Sequence, residues 1–222
     1  MSSPASTARV AGLLYSINVV TGLFSLMYVP SHVMVQGDAA ATVNHILASE
    51  SLFRAGVAVN VISHVVFLLL PLVLYKLLSS VNKTAAVAMV ALAVACVPID
   101  LVAVADQLDV LAFLHGDLYR HALSGDQWYA KVRSSLDAYN DKLLISEIFW
   151  GLWLLPFGYL VFKSGFLPRI LGILLMLGCF SYLISFFTRV LGAGDVPGFV
   201  MLPAALGEMG IALWLLVFGV RR

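Results

Sequence analysis

The chain has 222 residues, 61% of them hydrophobic and 11% charged, with a formal net charge of +1 and a mean hydropathy of +0.98. A soluble domain carries about 25% charged residues, so this composition excludes an ordinary soluble globular protein. No basic cluster suggests a nucleic-acid partner.

A membrane span needs ~20 apolar residues, and six such stretches with short loops use nearly the whole length. The expected fold is all-α: an integral membrane bundle of six transmembrane helices, forming a single domain over 1–222. Met1 to Arg9 is a Ser-rich tail, and the first span is predicted over 10–29. It ends at Tyr28-Val29-Pro30, a poor signal-peptide cleavage site, so it reads as a retained span. Ala11, Tyr15, Asn18, Gly22 and Ser25 recur along it at helical spacing, a small, polar stripe suited to facing other helices. Asp38 is the expected N-cap of a short helix reaching about Ser49. The second span is predicted over 51–78, with Pro71 as a kink. Glu50 and Arg54 sit four apart at its start, acid first, the favourable order for a helical ion pair. Asn60 and His64, also four apart, lie deeper.

A tight loop, Ser79 to Lys83, leads to the third span over 84–110, interrupted by Pro98 and Asp100. In the long loop that follows, Tyr129, Val132, Leu136 and Tyr139 recur at helical spacing. They predict a short amphipathic helix over 126–139, capped by Asp126 and lying on the membrane surface, anchored by Trp128 and the tyrosines. The fourth span, 143–162, carries Glu147, Trp150, Trp153 and Pro156. The fifth, 169–190, sets Gly172, Leu175, Cys179, Tyr182, Phe186 and Arg189 on one face. After the turn at Gly192 to Pro197, the sixth span over 198–220 holds Glu208 among Ala204, Ala205, Gly207 and Ala212, which directs it to a helix interface or cavity. Cys96 and Cys179 fall inside spans and read as packed thiols, not as a disulfide framework or metal site. No internal repeat is visible, which weighs against an inverted-repeat transporter.

The loops alternate in charge. Arg9, Lys76, Lys83, Lys163, Arg169, Arg221 and Arg222 occupy the termini and one set of loops, which contain no acid. All twelve Asp and Glu residues lie in the other loops or in the spans. Because basic loops stay in the cytoplasm, both termini are expected there, in a cell inner (plasma) membrane.

Several stretches resemble a bacterial family of six-span membrane proteins catalogued as domain of unknown function 4386. They are Gly37-Asp38-Ala39-Ala40-Ala41-Thr42, Ile46 to Glu50 with Leu52-Phe53-Arg54, Gly165 to Gly172, and Pro203 to Glu208 with Leu213-Trp214-Leu215-Leu216. The resemblance covers nearly the whole chain and is weakest from Asp100 to Asp141. It implies the membrane fold, points to Asp38, Glu50, Arg54, Arg169 and Glu208, and implies no substrate.

Arg54, His64, Asp100, Glu147, Arg189 and Glu208 are ionisable residues in or near the spans, all placed by depth in the outer half or near the midplane. A charge at the bilayer centre costs roughly 2.5–3.5 kcal/mol on insertion scales, so these groups must pair, neutralise or line a wet cavity. They are expected to converge on one polar pocket in the outer half. There Glu208 and Asp100 are candidate general acids, because a carboxyl group kept protonated by apolar surroundings can give up its proton at neutral pH. Arg54, His64, Glu147, Tyr182 and Arg189 are candidate binding residues. Aromatic side chains including Tyr15, Trp150, Trp153 and Phe186 would stack on an apolar ligand. The bland readings are a Glu50–Arg54 interfacial pair, an Asn60 or His64 interhelical hydrogen bond, a snorkelling Arg189, and a Glu208 ion pair with Arg54 or Arg189.

The ligand-type residues come from different helices, and no His-x-x-x-His motif lies in a span, so neither metal nor cofactor is expected. A serine hydrolase would use Ser63 or Ser185 with His64 and Asp100, but lacks the histidine spacing of membrane hydrolases. The leading expectation is binding or modification of a lipid-like or isoprenoid-like small molecule, with membrane lipids as partners. The alternatives are a small-solute or proton-coupled transporter, or a non-catalytic assembly or regulatory subunit.

Overall fold

The structure is a computed structural model that describes residues 3–192, 194 and 196–220. Arg221 and Arg222 of the basic C-terminus, and Ala193 and Asp195 of the last turn, lie outside the described residues. Among the described residues all regular structure is helical. Helix α1 (Pro4–Gly22) continues through a π-helical turn (Leu23–Tyr28) into α2 (Val29–Val33). Then follow α3 (Ala39–Ala48), α4 (Glu50–Leu78), α5 (Lys83–His115), α6 (Asp117–Ala122), α7 (Gly125–Leu152), α8 (Leu154–Lys163) and α9 (Arg169–Val190). A 3₁₀ turn (Gly198–Met201) opens α10 (Leu202–Val217). Six helical stretches are long and apolar enough to cross a bilayer: Pro4–Val33, Glu50–Leu78, Lys83–His115, Gly125–Lys163, Arg169–Val190 and Gly198–Val217. The protein is an all-α, multi-pass integral membrane protein.

Prolines explain where the long helices change pitch. A proline offers no N–H to the carbonyl four residues back and crowds it. Pro30 follows the π-helical turn, in which the Val29 N–H bonds to the Phe24 carbonyl, five residues back. Pro156 lies four residues beyond Leu152, where α7 ends, and α8 begins two residues later. Pro71 and Pro98 are absorbed within α4 and α5 without ending them.

The surface helix expected over 126–139 is instead the first half of α7, which runs unbroken from Gly125 to Leu152. No glycine or proline lies between Asp126 and Leu143 to stop it. Its apolar stripe is packed into the core of unit 2. Val132, Leu136 and Tyr139 are buried, and the Trp128 indole donates to the Phe113 carbonyl at 2.8 Å. The cap is also two residues earlier than expected: the Ser124 hydroxyl accepts from the Gln127 N–H, and the Gln127 side chain accepts from the Ser124 N–H, a reciprocal capping box. Asp38 does cap α3, accepting from the Ala41 N–H at 2.8 Å.

The chain divides into two compact units. Unit 1 comprises Met1–Val19, Val65–Pro98 and Leu144–Arg222; unit 2 comprises Val20–His64 and Ile99–Leu143. Unit 1 is held by close helix contacts. A Cβ added at Gly158 of α8 would stand 2.6 Å from the Gly172 carbonyl oxygen of α9, and one at Gly178 would stand 2.9 Å from the Cα of Ala204 in α10. Small residues let helices approach this closely where lipid supplies no hydrophobic drive. An aromatic cluster fills the space beside them: Trp153 stacks on Phe157 at 5.2 Å, meets Phe67 edge-on at 5.2 Å, and faces Tyr15 at 6.0 Å. Cys96 and Cys179 are buried free thiols. Unit 2 has its own apolar core, in which Val29, Val33, Val43, Ile46 and Phe53 meet Val110, Phe113, Val132 and Leu136.

Candidate functional site

In unit 1, Glu208 projects from α10 and its two carboxylate oxygens are divided between two tyrosines. The Tyr15 hydroxyl of α1 donates to Oε2 at 2.9 Å, and the Tyr182 hydroxyl of α9 donates to Oε1 at 3.0 Å. Tyr15 is fully buried against Trp153 and Phe157. Trp150 meets the Tyr182 ring edge-on at 6.4 Å. One carboxyl group thus ties three helices with neutral donors. Two turns further along α9, the Arg189 guanidinium bonds Glu147 of α7 at 3.2 Å, with Ser185 also against the carboxylate.

In unit 2, the polar side chains form a buried chain. The Asn60 amide nitrogen of α4 donates to Oε1 of Gln107 on α5 at 3.2 Å and to the Tyr139 hydroxyl oxygen on α7 at 2.8 Å. Asp100 lies near enough to Tyr139 to interact with it electrostatically. The Asp100 carboxylate in turn stands 3.5 Å from His64 Nδ1. Asn60, His64, Asp100, Gln107 and Tyr139 are all buried. A buried polar network holds its helices in register only when its members are satisfied. At the start of α4, Glu50 accepts from Arg54 at 2.6 Å and from His115 of α5 at 3.0 Å. Lys142 pairs with Asp106.

A partly open cavity of about 290 Å³ sits in unit 2 beside this chain. Its lining mixes apolar side chains, Val29, Val33, Phe53 and Leu136, with polar ones, Gln36, Gln107, Arg133, Tyr139 and Asn140. Ser25, in the π-helical turn, also lines it, and such turns recur at functional sites. Arg133 is the one charged side chain in the lining, and its Nε is already bonded to Asp137 at 2.8 Å.

The residues singled out from the sequence thus fall into separate groupings. Unit 1 brings Tyr182 to Glu208, and Glu147 to Arg189; unit 2 brings His64 to Asp100, and Arg54 to Glu50. Glu208 takes tyrosine partners, not Arg54 or Arg189. None of these residues is in the cavity lining, where Ser25, Gln36, Gln107, Arg133, Tyr139 and Asn140 supply the polar side chains. The signal for Gln107 and Tyr139 was Asn60, a deep amide that needs partners on neighbouring helices. Nothing local marks Arg133, which reads as half of an exposed Arg133–Asp137 helical pair. Among the described residues, no group of three or more His, Cys, Asp or Glu stands close enough to hold a metal ion.

An uncharacterized protein from Archaeoglobus fulgidus is 33% identical over 84 residues, which is 38% of this chain and 50% of that protein. The chain thus matches about half the length of that relative. No solved structure matches the chain. The family model described as Domain of unknown function (DUF4386) matches residues 10–219, nearly the full length, and the chain belongs to that family.

Proposed function

We propose that this protein binds a lipid-like or isoprenoid-like small molecule in the unit 2 cavity, within the inner membrane of a bacterial cell and with both termini on the cytoplasmic side. The observation that carries the reading is the mixed lining of the cavity, in which the apolar side chains of Val29, Val33, Phe53 and Leu136 stand with the hydrogen-bonding groups of Gln36, Gln107, Tyr139 and Asn140. An amphiphile offers the same mixture. Ligand pockets run from about 300 to 1,000 Å³, and a volume near 290 Å³ is at the lower end. It holds the polar head and first part of a single chain, not a whole two-chain lipid. The alternation of basic and acidic loops supports the orientation.

The reading is one of binding. No proton transfer is part of it: the Glu208 carboxylate in unit 1 already serves two tyrosines and does not line the cavity. The test is mass spectrometry of small molecules retained by the detergent-purified protein, with thermal unfolding in the presence of single-chain amphiphiles. Retention of an amphiphile and a rise in melting temperature are expected. Val33→Phe and Leu136→Phe, which enlarge apolar side chains of the lining, should abolish both while preserving cooperative unfolding. Equal binding by the filled variants would remove the cavity from the function.

A further inference from the structure

We infer that an exposed recess of unit 1, between α1 and α10, binds the phosphate head of an anionic membrane lipid. The inference is independent of the unit 2 cavity, since every residue it uses lies in unit 1. The recess has a volume of about 400 Å³, and its lining includes Ser3, Ser6, Arg9, Val10 and Leu13 at the start of the chain and Leu216 of α10. Residues three or four apart share one face of a helix, so Ser6, Arg9, Val10 and Leu13 form a single stripe down α1, with Ser3 just before it. The stripe changes character once. Ser3, Ser6 and Arg9 are polar, and Val10 and Leu13 beyond them are apolar. From Ser3 to Leu13 it runs about 15 Å at 1.5 Å per residue. A lipid changes in the same order, head first and chain after. All five side chains are exposed. Val10 and Leu13 belong to a helical stretch, Pro4–Val33, long and apolar enough to cross a bilayer, so acyl chains cover them. Close contact of α1 with α10 brings Leu216 into the lining: a Cβ added at Gly12 would run into the Leu216 backbone nitrogen.

Charge defines the head. The described acids of unit 1 are Glu147, which Arg189 holds, and Glu208, which Tyr15 and Tyr182 hold. Among the described residues Arg9 therefore has no carboxylate partner, and neither do Lys76, Lys83, Lys163 and Arg169 of the same unit. A phosphate with a net negative charge answers that excess. The planar guanidinium of Arg9 matches two phosphate oxygens at once. Ser3 Oγ accepts from the Ser6 N–H at 3.2 Å, which leaves its own proton for the phosphate, and Ser6 adds a second hydroxyl. A zwitterionic lipid carries its own cation and gains less from an excess of basic residues.

The experiment places the full chain in nanodiscs of phosphatidylglycerol and phosphatidylcholine with identical chains in equal amounts. The protein is then moved to dodecyl maltoside, and native mass spectrometry reads the lipids that stay bound. Phosphatidylglycerol is expected to be retained in preference to phosphatidylcholine. Arg9→Gln should cut that preference roughly 5-fold, the worth of one basic residue at an anionic surface. Arg9→Lys keeps the charge but gives up the planar fork, and should fall between. Arg9 is exposed, so neither change threatens the fold. Lys163→Gln removes an equal charge outside the recess and should leave the preference unchanged. Inorganic phosphate at millimolar concentration should not displace the lipid, because it has nothing to place on Val10, Leu13 and Leu216. Equal retention of the two lipids, or an equal fall in Arg9→Gln and Lys163→Gln, would overturn the proposal, since charge would then act diffusely. Displacement by inorganic phosphate would also overturn it and assign the recess to a free anion. Leu136→Phe, which fills the unit 2 cavity, should leave the preference intact, so this inference and the function proposed above fail separately.

Discussion

Glu208 illustrates what one residue in a sequence reveals and what it hides. Its place mid-span, on a face with Ala204, Gly207 and Ala212, was enough to direct it toward a helix interface. Its partners were not legible, because Tyr15 lies 193 residues away and Tyr182 26 away. An arginine was the expected partner by charge alone. Two phenolic hydroxyls satisfy the same oxygens without a second buried charge, which removes the desolvation cost of a buried ion pair. Substitution tests this arrangement. In Glu208→Gln one acceptor oxygen becomes an NH₂ donor, so one tyrosine must turn and leave its own proton unanswered. The expected loss is about 1–3 kcal/mol, the cost of a buried unsatisfied group. Glu208→Ala strands both hydroxyls and leaves a void, and should cost more. Thermal unfolding in detergent measures both; a Glu208→Gln protein as stable as wild type would show that the tyrosines find other acceptors.

At the scale of elements, the apolar runs marked the helices well, while the polar first half of α7 did not read as part of a span. Hydropathy falls between Asp126 and Lys142, but helix continuity depends on the absence of breakers and on a buried stripe, and both are present. The break that does occur, after Leu152, follows from Pro156 and not from hydropathy. Glycines separate into two kinds that composition cannot distinguish. Gly158 is pressed against the α9 backbone, whereas a Cβ at Gly22 would meet nothing within 4 Å. Gly22 also has ordinary helical angles, φ −63° and ψ −47°. Gly158→Ala is therefore expected to destabilise the protein by about 1–3 kcal/mol, through overpacking against an unyielding backbone. Gly22→Ala should be neutral or stabilising by up to about 1 kcal/mol, because alanine is the better helix former. Melting temperatures of the two variants, compared side by side, check the distinction. A loss of similar size at both positions would mean that helix propensity, not close approach, governs Gly158.

At the scale of the whole molecule, class and span number were legible because they depend on composition and run length, which are local properties. The cavity was not, since its lining is gathered from the π-helical turn, α2, α4, α5 and α7, and no local pattern records such a meeting. The proposed orientation lies between these cases: it rests on loop charge, a local signal with a physical cause, and it makes a definite prediction. Helix α5 runs from Lys83 to His115, 33 residues, about 50 Å at 1.5 Å per residue, against a hydrocarbon core of ~30 Å. The residues just before and after it should then lie on opposite faces of the membrane. Ser80 and Ala122 are both exposed. In a background with the buried thiols removed by Cys96→Ala and Cys179→Ala, Ala122→Cys should react with a membrane-impermeant maleimide in intact cells. Ser80→Cys should react only after permeabilisation. The reverse pattern would invert the topology and place the cavity's loops in the cytoplasm. Labelling of both sites in intact cells would mean that α5 does not cross at all. The expected pattern would put the segment after α5 on the side away from the cytoplasm, as the acidic loop charge requires.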